Sequence, residues 1–316
     1  MNKESGEFIK YSVIVLLEEE NEDIVRYILD IYSLFFSQED SFEIVILANG
    51  TEGFLQDKLE KLHECSDNLK IFSFNKKISQ AVCLKAGLKE CRGQIFVVCG
   101  SYQQITNDSL VKLLDALDDK ADVISPWRQY RVDPPFNRLQ SRLFNFLVRK
   151  ITKSDLHDLS NTVKVFRREV LEETELYGGM YRFLPILAAQ KGFNYREVKC
   201  DHYQEHGKTG FYSLSDYLAR ILDIITLYFN IRFTRKPLRF FSTFGLFFLI
   251  TGVFIMGYVF FQKIFLGHPI GGRPVLLLAL LFMVVGVQVA SAGLLGEIVA
   301  FVYGRQKKEY SIDKKI

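Results

Sequence analysis

Short apolar runs alternate with longer amphipathic stretches through the first part of the chain. Two uninterrupted greasy runs dominate the last part. Tyr11–Leu17 (YSVIVLL), Phe42–Ala48 (FEIVILA), Leu69–Phe74, Gln94–Cys99 (QIFVVC) and Asp122–Pro126 (DVISP) are brief and rich in β-formers, so each predicts a strand. Asn21–Phe36 places Ile24, Ile28, Ile31 and Leu34 on one helical face, and Phe54–Leu62, Ser79–Cys91 and Leu110–Leu117 also predict helices. Asn49-Gly50 and Gly93 punctuate the pattern as turns. Strands and helices in this rhythm predict an α/β fold with a mostly parallel sheet covered on both faces. In such a sheet ligands gather outside the carboxyl ends of the strands. The loops to examine are therefore Glu18–Asn21, Asn49–Gly53, Gly100–Gln104 and Trp127–Asp133.

Phe240–Gln262 and Pro274–Leu295 carry no charged residue. A helix needs about 20 apolar residues to cross a bilayer, and helices and closed barrels alone satisfy their backbone there. The link Lys263–Arg273, with Gly267, Pro269, Gly271 and Gly272, is too short for a domain, so the two spans predict a hairpin. Arg232, Arg235, Lys236 and Arg239 precede the first span, and Arg305, Lys307 and Lys308 follow the second. The positive-inside rule puts both feet in the cytoplasm, which predicts a multi-pass protein of the inner membrane with its soluble domain in the cytoplasm. The expected division is a soluble domain over 1–210, a juxtamembrane amphipathic helix over 211–237, the hairpin over 238–304 (spans 240–262 and 274–295) and a tail over 305–316. Small-residue faces for helix association lie at Gly245, Gly252 and Gly257, and at Gly286, Ala290 and Gly293. Arg138–Ile151 and Tyr212–Phe229 are basic or membrane-adjacent amphipathic helices suited to the interface; packing on the sheet is the alternative.

A net charge of +3 is too mild for a nucleic-acid partner, and the basic residues cluster beside the spans instead. Membrane lipid is the expected acidic partner. Met1–Lys10 is polar, with no apolar core of a secretory leader. Cys65, Cys83, Cys91, Cys99 and Cys200 lack metal-ligand spacing and read as reduced thiols. His202 and His206 lie four apart, but the neighbouring Gly207 and Gly210 argue for a loop, so no zinc site is expected. The acidic run Glu18–Glu20, Glu22 and Asp23 reads as a solvated helix start.

The ordered set of downstream motifs resembles a known family. It comprises Arg128-Gln-Tyr-Arg131-Val-Asp133, Ser141, Asp158, Val163–Val170, Tyr181-Arg-Phe-Leu-Pro185, Arg235–Phe241 and Gly293-Leu-Leu-Gly-Glu-Ile298. Over nearly the whole chain it is similar to the membrane-anchored family 2 glycosyltransferases that charge polyprenyl phosphate. These are the group of dolichyl-phosphate mannose synthase and the GtrB- and ArnC-like proteins. The resemblance implies a GT-A (Rossmann-like) domain, with Arg128, Arg131, Asp133, Ser141 and Lys208 binding phosphate or substrate. It also implies that Asp158 orients the acceptor or acts as base.

The upstream motifs depart from the family. P-x-Y-N-E is Leu16-Leu-Glu-Glu-Glu20, D-D-G-S is Ala48-Asn49-Gly-Thr51, and D-A-D-L-Q is Cys99-Gly-Ser101-Tyr-Gln103; the K-S-K-Y-like element is Gly207–Phe211, keeping Lys208. The family's Mg²⁺ or Mn²⁺ needs anionic oxygen ligands. A soft thiol at 99 and a neutral hydroxyl at 101 do not supply them, so no metal or other cofactor is expected. The stripped donor site also argues against a nucleotide sugar. The main reading is a non-catalytic partner or scaffold, as a homo-oligomer or beside an active glycosyltransferase homologue. The alternative is an active, metal-independent, inverting transfer of a hexose from a nucleotide sugar to polyprenyl phosphate, its diphosphate held by Arg128, Arg131 and Lys208. A third reading is a lipid-phosphate binder using Arg128, Arg131, Arg138 and Arg142.

Overall fold

The computed structural model describes residues 9–18, 23–38, 40–50, 68–129, 135–159, 161–203, 221–229, 237–267 and 274–304. Seven strands form one sheet: β1 Tyr11–Leu17, β2 Phe42–Asn49, β3 Leu69–Phe74, β4 Ile95–Cys99, β5 Val123–Arg128, β6 Lys164–Arg167 and β7 Tyr195–Cys200. Helices α1 Ile24–Ser37, α2 Gln80–Glu90, α3 Asn107–Asp115, α4 Pro135–Thr152, α5 Arg168–Glu173 and α6 Leu184–Gln190 follow the chain between and beside them. The strand order is β3-β2-β1-β4-β6-β5-β7. β1 pairs in parallel with β2 and β4, β2 with β3, and β5 with β7, whereas β6 runs antiparallel between β4 and β5. The mostly parallel α/β expectation is met, and five strands fall where the hydrophobic pattern placed them. β5 runs on to Arg128, two residues beyond the run that predicted it.

Every residue of β1 and β2 is buried, as a strand covered on both faces requires. Val13, Val15, Ile44 and Ile46 join Ile24, Ile28, Ile31 and Phe35 of α1 in one core. α3 starts at Thr106, whose hydroxyl accepts the Ser109 N–H. At the amino end of the sheet, buried Glu43 accepts from the Ser12 hydroxyl at 2.7 Å and from Lys70 at 2.8 Å. Those bonds, with one from the Arg92 N–H, outweigh desolvation and hold its carboxyl below the usual range.

The chain divides into two compact units, Met1–Asp223 and Ile224–Ile316. The second contains α8 Pro237–Leu266 and α9 Pro274–Gly304; helix 221–229, α7, straddles the division. α8 and α9 are each long and apolar enough to cross a membrane. They pack antiparallel through glycine. A Cβ on Gly286 would lie 2.7 Å from both Gly245 O and Leu249 N, and one on Gly252 would meet Ala279 O at 2.8 Å. Gly257, by contrast, has open space before it and takes no part in this seam. The Glu297 carboxylate accepts the Leu238 N–H at 3.2 Å, placing an anion on the first turn of α8, where the helix dipole favours it. Gly286→Val will therefore separate the helices, because its clash partners are backbone. A loss on the order of 1–3 kcal/mol of pairing is expected from overpacking. Cross-linking of cysteine pairs placed across the seam measures it, and undiminished cross-linking would refute the contact.

Candidate active site

The carboxyl ends of β1, β2 and β4 are where a parallel sheet presents a ligand site. Here the side chains at those ends are spent on the framework. Ser101 donates to Leu16 O at 3.1 Å and accepts the Glu18 N–H at 2.9 Å, tying β4 to β1. Asn49, fully buried, holds both backbone groups of Ile78: it accepts from Ile78 N and donates to Ile78 O, each at 2.8 Å. Ala48 is buried inside β2. Cys99 lies in the core against α1, and burial pushes its thiol up to about 11. Glu18 accepts from Gln80 Nε2 at 2.6 Å. The residues at 99 and 101 therefore do not fit a Mg²⁺ or Mn²⁺ ion: one is a protonated thiol in the core, the other a neutral hydroxyl already bonded twice. Among the described residues, no group of three or more His, Cys, Asp or Glu is placed to hold a metal.

Further along the sheet lies a buried polar cluster. Arg128, the last residue of β5, makes a two-pronged ion pair with Asp158: Nε to Oδ2 is 2.7 Å and Nη2 to Oδ1 is 3.2 Å. The side chains are 6% and 3% exposed, so the pair is shielded from water. The loop that presents Asp158 is fixed from β7, where the Glu197 carboxylate accepts the backbone N–H groups of His157 and Asp158. Burial raises the Glu197 pKa, and these bonds oppose the rise. His157 stacks on Trp127 with ring centroids 4.1 Å apart, and its Nδ1 lies 2.8 Å from Glu197. Asn145 of α4 donates to His157 O.

Lys164 of β6 has no exposed surface, donates to Asn161 O at 2.7 Å and sits 4.8 Å from the centre of the Tyr181 ring. Desolvation brings its pKa down to about 7; Asp158 opposes this, and Arg182 and Arg128 add to it. Beside this cluster a cavity of about 90 Å³ is lined by Gln80, Ser141, Phe144, Asn161, Thr162, Tyr181 and Arg182.

Residues 12–174, more than half of the chain, match the sequence signature of glycosyl transferase family 2. The chain belongs to this family. Members similar to it along most of their length include a dodecaprenyl-phosphate galacturonate synthase of Rhizobium johnstonii. That relative is 26% identical over 303 residues, spanning 94% of this chain and 89% of its own. An undecaprenyl-phosphate 4-deoxy-4-formamido-L-arabinose transferase of Pseudomonas syringae pv. syringae is 26% identical over 278 residues, spanning 86% and 81%. Among solved structures, glucosyl-3-phosphoglycerate synthase of Mycobacterium tuberculosis with uridine diphosphate superposes with a TM-score of 0.53 at 14% identity, over 70% of this chain and 79% of its own. That likeness speaks for the fold alone, and the GT-A-like expectation is met. Homologues whose names specify polyprenyl-phosphate sugar transfer agree with a lipid partner for the family.

Against the residues that the family resemblance singled out, the geometry is uneven. Arg128, Ser141 and Asp158 come together with the cavity and the buried cluster, but the first and last are engaged with each other. Ala48, Asn49, Cys99 and Ser101 are framework. Arg131, Asp133, Lys208, Glu20, Thr51, Cys65 and His206 lie outside the described residues, as do the helix expected at Phe54–Leu62 and the amino-terminal half of the one expected at Tyr212–Phe229. Cys83, Cys91, Cys99 and Cys200 are free and buried. Sequence reasoning gave no role to Lys164, Asn161, Arg182 and Gln80. Lys164 carried a signal: a lone charge inside the apolar Val163–Phe166 run, where a sheet buried on both faces offers it no solvent.

Proposed function

We propose that this family 2 member transfers a sugar from an activated donor to polyprenyl phosphate, without a carboxylate-held divalent metal. The observation that carries this reading is end-to-end similarity to a polyprenyl-phosphate sugar transferase, spanning the catalytic-type sheet and both apolar helices. The α8–α9 pair would tether the sheet to the bilayer that holds the acceptor, with the flanking basic residues at its cytoplasmic face. A phosphate acceptor is already anionic and hardly needs a general base, so an Asp158 locked to Arg128 is compatible with transfer. In this reading Asp158 and Arg128 position the loop at the acceptor end, and donor phosphates are met by cationic side chains such as Arg131 and Lys208.

A second reading, a non-catalytic partner of an active homologue, is favoured by one observation. The positions that hold donor and metal in the family have become structural bonds here, at Asn49 and Ser101. The full chain in nanodiscs containing polyprenyl phosphate decides between them. With a panel of nucleotide sugars, the expected result is sugar in the lipid fraction at a rate that EDTA leaves unchanged. Abolition by EDTA, with rescue by Mg²⁺ or Mn²⁺, would overturn the metal-free mechanism. No transfer from any donor, with an active glycosyltransferase co-purifying, would establish the partner instead.

A further inference from the structure

We propose that the outward face of α4 docks on a bilayer surface containing acidic lipid. The inference stands apart from the sugar-transfer reading, since it concerns a surface and no reaction. Its argument begins with the residues that α4 turns inward. Ser141, Asn145 and Val148 fall on one side of the helix and are buried. Asn145 donates to His157 O at 2.7 Å, so this side is spent on holding the loop before Asp158. The outward side carries large apolar side chains instead: Leu143, Phe146 and Leu147 are 57%, 53% and 39% exposed. A helix lying on a soluble domain ordinarily shows water its polar side. Positions three and four apart are neighbours on a helix, so these three form one patch rather than scattered exposure.

Charge selects what covers the patch. Arg142 and Lys150 are exposed and stand on the same ridge as Phe146, one turn to either side. Neither makes an ion pair or a side-chain hydrogen bond among the described residues. The helix also contains Arg138 and Arg149 and has no Asp or Glu along its length. Two copies meeting through this face would set like charges against each other, because a two-fold contact apposes one surface with itself. An acidic membrane satisfies both the patch and its rim. It takes an apolar helix face to a depth of about 5–10 Å, while long basic side chains at the edge keep their charges among the headgroups. A bilayer is also a surface this chain meets, since α8 and α9 are each long and apolar enough to cross one.

The test uses the full chain in nanodiscs of phosphatidylcholine, alone or mixed with phosphatidylglycerol, with acyl-brominated lipid as a contact quencher. Phe146→Trp puts an indole on the patch, read as the difference from the wild type with its one tryptophan, Trp127. In discs with phosphatidylglycerol its emission should lie to the blue of an indole in water and be quenched by the bromines. Lys120→Trp, at an exposed turn ahead of β5, should show neither effect. Arg142→Gln and Lys150→Gln, each added to Phe146→Trp, should lower the ratio of docked to undocked α4 about fivefold at low salt. All four positions are exposed, so the core is untouched, and an unchanged melting temperature checks this. Emission from Phe146→Trp that the bromines leave unquenched would overturn the proposal. So would equal quenching without phosphatidylglycerol, because acidic lipid would then not be the partner. Blue-shifted, unquenched emission that appears only when two copies share a disc would assign the face to a second copy instead.

Discussion

Asp158→Ala will destabilise the soluble unit by about 3–5 kcal/mol, the range for breaking one side of a shielded ion pair. The alanine removes the carboxylate that Arg128 bonds twice and leaves a guanidinium that is 6% exposed beside a second buried cation, Lys164. The cost is one of desolvation: a charge already withdrawn from water loses a two-pronged, charge-assisted partner. Replacing both members with apolar side chains of similar size, Arg128→Met with Asp158→Leu, should therefore cost less than the single change. Urea unfolding followed through Trp127 is a suitable measurement. It is the protein's one tryptophan and stacks on the residue preceding Asp158. A single-variant loss below about 1 kcal/mol, typical of exposed pairs, would mean that water reaches this pair and that the structural role assigned to it is wrong.

Lys164→Met has the opposite sign. Removing a desolvated ammonium and filling its volume should stabilise the protein by about 1–4 kcal/mol at pH 7. The pH dependence follows from linkage. In the unfolded chain the amine holds its proton up to its ordinary value of 10.5, whereas in the native protein it lets go near 7. Between those values the unfolded state binds the extra proton, so wild-type stability rises with pH. The slope approaches about 1.4 kcal/mol per pH unit for one proton. Below about pH 7 both states are protonated, and this group adds no slope. The methionine variant should lack the rise, so the gap between the two proteins narrows from pH 7 toward pH 9. Higher pH is a poor window, because the buried Cys83 and Cys91 thiols, raised to about 12, favour unfolding once exposed thiols ionise. Parallel stability curves for wild type and variant would show that Lys164 titrates normally.

The sheet's central strands were legible in the sequence for a simple reason. β1, β2 and β4 are buried on both faces and so are written as continuous apolar runs. β6 and β7 were not legible. β6 is four residues long and includes Lys164 and Arg167, and β7 (YREVKC) is an edge strand whose charged residues look like surface. Both owe their place to long-range pairing, β6 with β4 and β5, and β7 with β5. Pattern within a short window carries no record of such partners.

The same division governs the site. Residue types alone determined that positions 99 and 101 present no carboxylate, and that two charge-free runs suffice to cross a bilayer. Composition fixes those properties wherever the chain goes. Tertiary structure decided what the replacements do: Asn49 grips the backbone of Ile78 and Ser101 ties β4 to β1. It also closed Arg128 on Asp158. It alone brought Asn161 and Arg182 to one cavity, with Lys164 bonded to the Asn161 carbonyl. Hydrogen bonds and desolvation depend on distances of a few ångströms between residues far apart in the chain, and those distances exist only once the sheet has assembled.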